Sequence, residues 1–419
     1  MKLFSLLLKE NSSYTDQDHK VEEGFWFLLA SRVLRSIAMI YVTLSLPLYL
    51  LLIGLKIEIV GTVLFFTIMV STLISFTAGM MGDRIGYRFS LIYADIPLII
   101  GTFLLFRYPS TFDVEIAAIV GGIGGASGGL RGVFAPGMNA LIARNYPQTE
   151  RRISRMGILM FAGSIASIGG SLLLYLGKYI MPSFTEAQRF RDIYLICMVF
   201  TILSIILVSL TYERPRVKKK NIIMSKSSGR YTGRVFLSNV VAGSGLGFGI
   251  VLLPAWLELR FGISSSYVGF IFTISYITTA IGSFVASRIS LKVNPLLYSS
   301  ISRSIQGIAL IIMAFLPTIF LVSAVYIARQ FLGGFGAPMR SAINVRGISS
   351  DDYGTASSLQ GLGSRASQGT SAASGYLMAY SLPLPEVVGG AVQMFGGYLY
   401  YVLIKGAKTS IPDTQKSTL

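Results

Sequence analysis

Five arginines inside long apolar runs of this sequence stand out: Arg32 and Arg35 in the first run, Arg131 in the fourth, Arg329 in the tenth and Arg365 in the eleventh. A guanidinium cannot shed its proton, and placing one near the centre of a membrane helix costs roughly 2.5–3.5 kcal/mol. Such residues must face protein, water or a ligand. Counted at about 1.5 Å per residue from the cytoplasmic ends, Arg35, Arg131, Arg329 and Arg365 lie about 16–20 Å deep, close to one level. Planar, bidentate recognition of carboxylate or phosphate is what arginine does better than lysine. Arg35, Arg329 and Arg365 are therefore the preferred substrate contacts and Arg131 a further one, with Tyr41, Asn239 and Gln368 as orienting groups. Run eleven adds a polar stripe, Ser357, Gln360, Ser364, Ser367, Ser371 and Ser374, which would need partners in hydrocarbon and so points to a cavity. Acids are scarce by comparison. Asp95 in the third run is the one clearly interior carboxyl, about 10 Å from the cytoplasmic end, and it is the candidate carrier of a coupling proton, while Glu258 sits near the outer mouth of the seventh run. Arginines tied to helix ends and carbonyls around a neutral cargo are the competing reading.

Other chemistries find little support. The single histidine, His19, lies in the polar N-terminal tail, and the single cysteine, Cys197, lies in the sixth run. That removes histidine relays, Ser-His catalysis, thiol metal sites and an internal disulfide together. Gly125-Ala126-Ser127-Gly128-Gly129 matches a nucleophile-elbow pattern, but it stands in a glycine-rich apolar run with no histidine to serve it. No phosphate-binding loop of the Gly-x-x-x-x-Gly-Lys-Ser/Thr type is present. We expect no enzyme activity, no cofactor and no metal, so energy for any transport must come from a gradient.

The elements that must position these side chains are membrane helices. The chain is 53% hydrophobic and 13% charged, with a mean hydropathy of +0.64, against about 25% charged residues in soluble proteins. Crossing a hydrocarbon core takes about 20 apolar residues. Spans are predicted at 25–54, 60–81, 89–106, 116–140, 156–178, 193–212, 235–258, 267–287, 295–316, 318–340, 355–379 and 385–404. The first lacks a cleavage site and reads as its own signal anchor. The net charge of +17 is unevenly spread: of 36 lysines and arginines, 23 fall in tails and inward loops, 5 in outward loops and 8 within spans or at their last residues. This is the positive-inside pattern with both termini cytoplasmic, and it accounts for the basic character without nucleic acid. The richest stretch, 213–234, is a basic cytoplasmic linker between a first half (1–212, with a polar tail to 24) and a second half (235–419, with a tail from 405).

The halves are related. Leu46-Pro47 recurs as Leu253-Pro254, and an offset of 208 then matches Gly54 with Gly262, Gly61 with Gly269 and Ser75 with Ser283. After the second span the chain reads Gly79-Met80-Met81-Gly82-Asp83-Arg84-Ile85-Gly86-Tyr87-Arg88, whose acid is replaced by Leu291 in the second copy. This loop resembles the signature of the major facilitator superfamily of secondary transporters: Gly, three residues, Asp-Arg, one residue, Gly, one residue, Arg. The resemblance implies an all-α membrane fold of twelve helices in two pseudo-symmetric six-helix bundles, working by alternating access. It also implies a gating role for Gly79, Asp83, Arg84, Gly86 and Arg88, which help lock the halves on the cytoplasmic side. The family's exporter motif survives in span 5 only as Gly169-Gly170, and span 4 has Ala118 where the family has an arginine. Together these features predict a monomeric integral protein of the plasma membrane carrying a small organic or inorganic anion. The alternatives are an efflux transporter of amphipathic drugs or metabolites, and a non-transporting receptor or scaffold on the same fold.

Overall fold

The structure is a computed structural model and describes residues 16–107, 110–122, 134–215, 224–289, 294–348 and 352–406. It is all helical among these residues. The helices are α1 (Asp16–Leu52), α2 (Ile57–Arg84), α3 (Tyr87–Arg107), α4 (Thr111–Gly121), α5 (Phe134–Asn145), α6 (Thr149–Ile180) and α7 (Glu186–Ser209). After residue 224 come α8 (Lys226–Gly249), α9 (Leu253–Phe261), α10 (Ser265–Ile289), α11 (Pro295–Phe315), α12 (Ile319–Arg346), α13 (Tyr353–Ala366), α14 (Ser371–Tyr380) and α15 (Leu384–Lys405).

Ten stretches are long and apolar enough to cross a membrane, against the twelve predicted spans. Predicted span 4 is represented by α4 and α5, on either side of residues 123–133, which lie outside the described residues. Predicted span 11 is divided into α13, a 3-10 turn at Ser367–Thr370, and α14. Its serines and glutamines also dilute its apolar content. The two Leu-Pro sequences, expected to bend both helices, behave differently. Pro47 is carried inside the continuous α1, whereas Pro254 opens α9 after a break at residues 250–252. Proline is tolerated in a first turn, where its missing N–H has no partner to lose. The presumed linker is shorter than expected, since α8 already begins at Lys226, with the Ser225 hydroxyl accepting from Ser228 N.

Large side chains on the perimeter, including Leu73, Phe161, Phe284 and Phe320, are more than half exposed. Water would penalise so broad an apolar surface, and lipid would not. Inside, α1 packs on α6 and α7, and α3 on α4 and α7; in the later part α8 packs on α13 and α15, α11 on α12 and α15, and α10 on α12. The two sets meet through α6 against α10, α2 against α13 and α14, and α1 against α9. At the end carrying the α1–α2 turn, one apolar cluster joins both sets, from Tyr41, Tyr49 and Val60 to Trp256, Phe272 and Met378. At the α2–α3 end, the clusters stay within one set each, around Phe25, Leu141 and Tyr146 and around Tyr231, Ile343 and Tyr400. Among the described residues, the two sets are thus sealed together by an apolar cluster at one end, and their clusters stay separate at the other.

Small residues make the seal. Thr273 Oγ1 lies 3.1 Å from Ser171 Oγ across α10 and α6, and a Cβ on Gly269 would stand 2.5 Å from Tyr175 N and 3.0 Å from the Leu174 carbonyl carbon. Backbone cannot swing aside as a side chain can. We expect Gly269→Leu to force this seam apart at a cost of about 1–3 kcal/mol, enough to shift a conformer ratio roughly five- to a hundredfold. A cysteine at Ser266, now buried, should then react several times faster with a membrane-impermeant thiol reagent. Unchanged labelling would show that the seam does not hold that end shut.

Candidate functional site

Three groups of buried polar side chains occupy the helix interiors. In the first, α1, α3 and α7 meet around Asp95. Arg35 Nε donates to Asp95 Oδ1, with both side chains almost fully buried, and Ser204 Oγ donates to Asp95 Oδ2 at 3.2 Å. Ser31 Oγ lies 2.9 Å from Ser204 Oγ. Arg32 is equally buried, and its Nε and Nη1 have no hydrogen-bond partner among the described residues. The sequence placed Arg35 and Asp95 at different depths because each was counted from a separately estimated span end. The helix begins at Asp16, and the two residues are at one level, in contact.

The second group holds Arg329 on α12. Its Nε donates to Gln306 O at 3.1 Å, Nη1 to Gln330 Oε1 at 3.3 Å and Nη2 to Gln393 Oε1 at 2.9 Å. Neutral oxygens therefore solvate this cation, and Gln306 and Gln393 on α11 and α15 were not picked out from the sequence. Nearby, Arg303 donates to Ser238 Oγ and Asn239 Oδ1, each at 3.3 Å, and lies 5.1 Å over the Tyr400 ring. Asn239 thus meets Arg303, an arginine inside predicted span 295–316 that the sequence reading did not single out.

The third group stands between the halves. Arg365 is on the last turn of α13, just before the 3-10 turn, and its Nη1 donates to Ser75 Oγ on α2. Gln368 is buried in that turn with Nε2 donating to Ser364 O at 3.0 Å. A 3-10 segment inside a helix commonly marks a functional hinge, and here it places Arg365 at the seam. Tyr41 is remote from Arg365. It packs edge-on against Tyr194 with ring centroids 5.8 Å apart, beside Glu186 and Arg189 at the sealed end. Arg131 lies outside the described residues.

A further interior acid escaped the sequence reading. Glu386, in the first turn of α15, is buried to 1% exposure, and its Oε2 has no hydrogen-bond partner among the described residues. Its position in Leu382-Pro383-Leu384-Pro385-Glu386 looks like the start of a loop, which hid it.

The α2–α3 turn is organised by a residue that the sequence assigned to the linker. Glu213 accepts from Tyr87 N at 3.0 Å and Arg88 N at 2.9 Å and pairs with Arg144. A carboxylate at the first N–H groups of α3 satisfies donors that the helix cannot. Gly86 has φ +138°, and a Cβ there would stand 3.2 Å from Glu213 Oε2; glycine alone suits both conditions. Arg84 ends α2 on the exposed surface, Arg88 lies 5.5 Å over Phe89, and Gly79 has open space around it. The Asp83 side chain lies outside what is described. Asn145 completes the turn, donating to Tyr212 O at 2.8 Å and accepting from Arg214 N at 3.1 Å. Glu213→Gln should weaken these charge-assisted contacts by about 1–3 kcal/mol and lower the melting temperature of the purified protein by several degrees. An unchanged melting curve would mean that the carboxylate does not hold the turn.

A family model described as Major Facilitator Superfamily matches residues 23–234. The chain belongs to the major facilitator superfamily. Solved structures agree with it along almost the whole chain, at identities that speak for the fold alone. A bacterial homologue of the human lysosomal transporter Spinster, inward-facing and unoccupied, superposes with a TM-score of 0.66 at 13% identity, over 92% of this chain and 97% of that one. The human organic anion transporter MFSD10 (TETRAN) gives 0.65 at 13%, over 91% and 99%. An auto-inhibited POT family peptide transporter gives 0.73 at 10%, over 94% and 98%. No curated protein matches the sequence. This major facilitator chain is therefore an integral membrane protein with the transporter fold, and its relatives by fold are transporters rather than enzymes.

Proposed function

We propose that this protein moves a small organic or inorganic anion across the plasma membrane by alternating access between two six-span halves, residues 1–212 and 235–419, joined by 213–234. The observation that carries the anionic reading is Arg365: a guanidinium on the last turn of α13, at the 3-10 break inside predicted span 11, donating across the seam to a neutral hydroxyl on α2. A cation placed where the halves meet stands where a ligand that both halves must touch would pass. Arg131 and Gln368 are further contacts in this reading. Arg35 and Arg329 contribute substrate contacts where a conformational change redirects their present bonds, and Tyr41 and Asn239 orient the cargo. Positive-inside charge supports a cytoplasmic location for the α2–α3 end and both termini; in this reading the sealed end is external and the conformer faces inward. Asp83, Arg84 and the turn glycines form the cytoplasmic latch, and Asp95 is the candidate site for a coupling proton. The protein acts as a monomer.

A neutral cargo is the second reading, favoured by the engagement of Arg35 with Asp95 and of Arg329 with three glutamines inside their own halves. Thermal unfolding of purified protein against carboxylates, phosphates, sugars and cationic drugs, followed by flux into proteoliposomes for each stabilising compound, tests the proposal. Stabilisation and uptake confined to anions support it. Uptake of a sugar or a cationic drug instead would move the neutral or efflux reading ahead, and no flux for any stabilising compound would favour a scaffold.

A further inference from the structure

Two arginines of α1, Arg32 and Arg35, lie within one turn of each other at 1% exposure. Arg35 is paired with Asp95, whose second oxygen accepts from Ser204. For Arg32, neither Nε nor Nη1 has a hydrogen-bond partner among the described residues. The charged groups that act on it are Arg35 and Asp95. These two cancel, so the group of three keeps one positive charge. Toward the start of α1, Arg155 is matched by Glu22 and adds nothing to that excess. A long helical side chain lies over the turn before it, which here carries Leu28 and Leu29, part of an apolar cluster with Leu91, Leu141 and Leu159. A cation held in such surroundings without acceptors is strongly disfavoured.

The second half shows how this protein accommodates a buried cation without a carboxylate. Arg329 is given three neutral oxygens, from Gln306, Gln330 and Gln393. No such set meets Nε and Nη1 of Arg32 among the described residues, so its acceptors come from outside the polypeptide. The geometry points to a site for a small inorganic anion of halide size, held inside the first half by Arg32. Ser36, one turn on and on the same face, is fully buried with its Oγ also lacking a partner among the described residues, and its hydroxyl is the neutral donor of the site. Water would bring acceptors but no charge, whereas a halide answers both the N–H groups and the excess positive charge. A halide also has no hydrogens to place and no shape to match, which suits a position among packed leucines. The site is distinct from the seam at Arg365, so it can fail while the transport reading stands.

The test is thermal unfolding of the full-length protein in detergent, titrated with sodium chloride against sodium gluconate at constant ionic strength. Chloride should raise the melting temperature saturably, bromide should replace it, and gluconate, too large for the site, should not. Arg32→Met should weaken the chloride effect about thirtyfold or more. It should also melt at or above the wild type in gluconate, because it no longer buries an unanswered charge. Arg365→Gln should keep the chloride dependence, which separates this site from the seam. If Arg32→Met does not fold, wild-type crystals grown in sodium bromide decide the matter: an anomalous bromine peak beside the Arg32 guanidinium is expected, and a map without one overturns the assignment. A wild type indifferent to chloride, a folded Arg32→Met protein with its chloride dependence intact, or a dependence lost in Arg365→Gln alone would overturn it equally.

Discussion

Arg365→Gln should abolish uptake of the natural substrate while the protein continues to fold and insert. Arg365 reaches from α13 to Ser75 on α2, so its charge lies where cargo must pass if the halves alternate around it. Glutamine keeps a hydrogen-bond donor and much of the length but removes the cation and its paired N–H groups. Losing a charge-assisted bidentate contact in a site shielded from water costs about 3 kcal/mol or more, a hundredfold or greater in affinity. Binding measured by thermal shift and flux measured in proteoliposomes should fall together. A structural role would behave differently, because a hydroxyl such as Ser75 loses little when one partner is replaced by another donor. Unaltered affinity in a folded Arg365→Gln protein, or a neutral or cationic natural substrate, would defeat the anionic reading.

Arg35→Met should be as damaging, through a different route. Asp95 is fully buried and paired to Arg35, and removing one partner of a buried ion pair costs about 3–5 kcal/mol because the other charge is left in low dielectric. The variant should express poorly or melt well below the wild type. Combining it with Asp95→Leu removes both charges and should recover most of that loss. The double variant then separates two roles. If it folds and still transports with normal affinity, the pair is structural, whereas a folded protein with lost affinity or lost proton dependence assigns function to Arg35 or Asp95. A single Arg35→Met protein as stable as the wild type would contradict the pairing itself.

Much of the fold was legible in the sequence because membrane helices announce themselves locally: twenty apolar residues in a row need no knowledge of their neighbours. Span 11 is where local reading and structure part, since a 3-10 turn at Ser367–Thr370 divides a serine-rich helix whose course depends on tertiary packing. The glycine-punctuated turn was equally legible, and Gly86 has the backbone conformation that only glycine adopts readily. Pairings were not legible. Arg35 meets Asp95 across 60 positions of sequence, and depths counted from separately estimated span ends were enough to separate them. Gln306 and Gln393 carry no signal of their own until Arg329 is placed between them. Glu213 did leave a trace, as the acid at the head of a run otherwise occupied by Arg214, Arg216, Lys218, Lys219 and Lys220. An acid retained in so basic a segment invites the question of what it holds.

What Glu213 holds also shortens the tether between the halves. With Asn145 it fastens Tyr212 through Arg214 to the floor of the first half, and Ser225 is fastened to Asp352 at the far side, N to Oδ2 at 3.1 Å and Oγ to Oδ2 at 2.9 Å. Of the basic stretch that reads as a long linker, only the chain from Pro215 to Met224 lies between the two fastenings. A fully extended chain of that length reaches on the order of 30 Å. The leash therefore sets a mechanical stop: while both fastenings hold, Pro215 and Met224 can travel no farther apart than that, however wide the rest of the cytoplasmic mouth would swing.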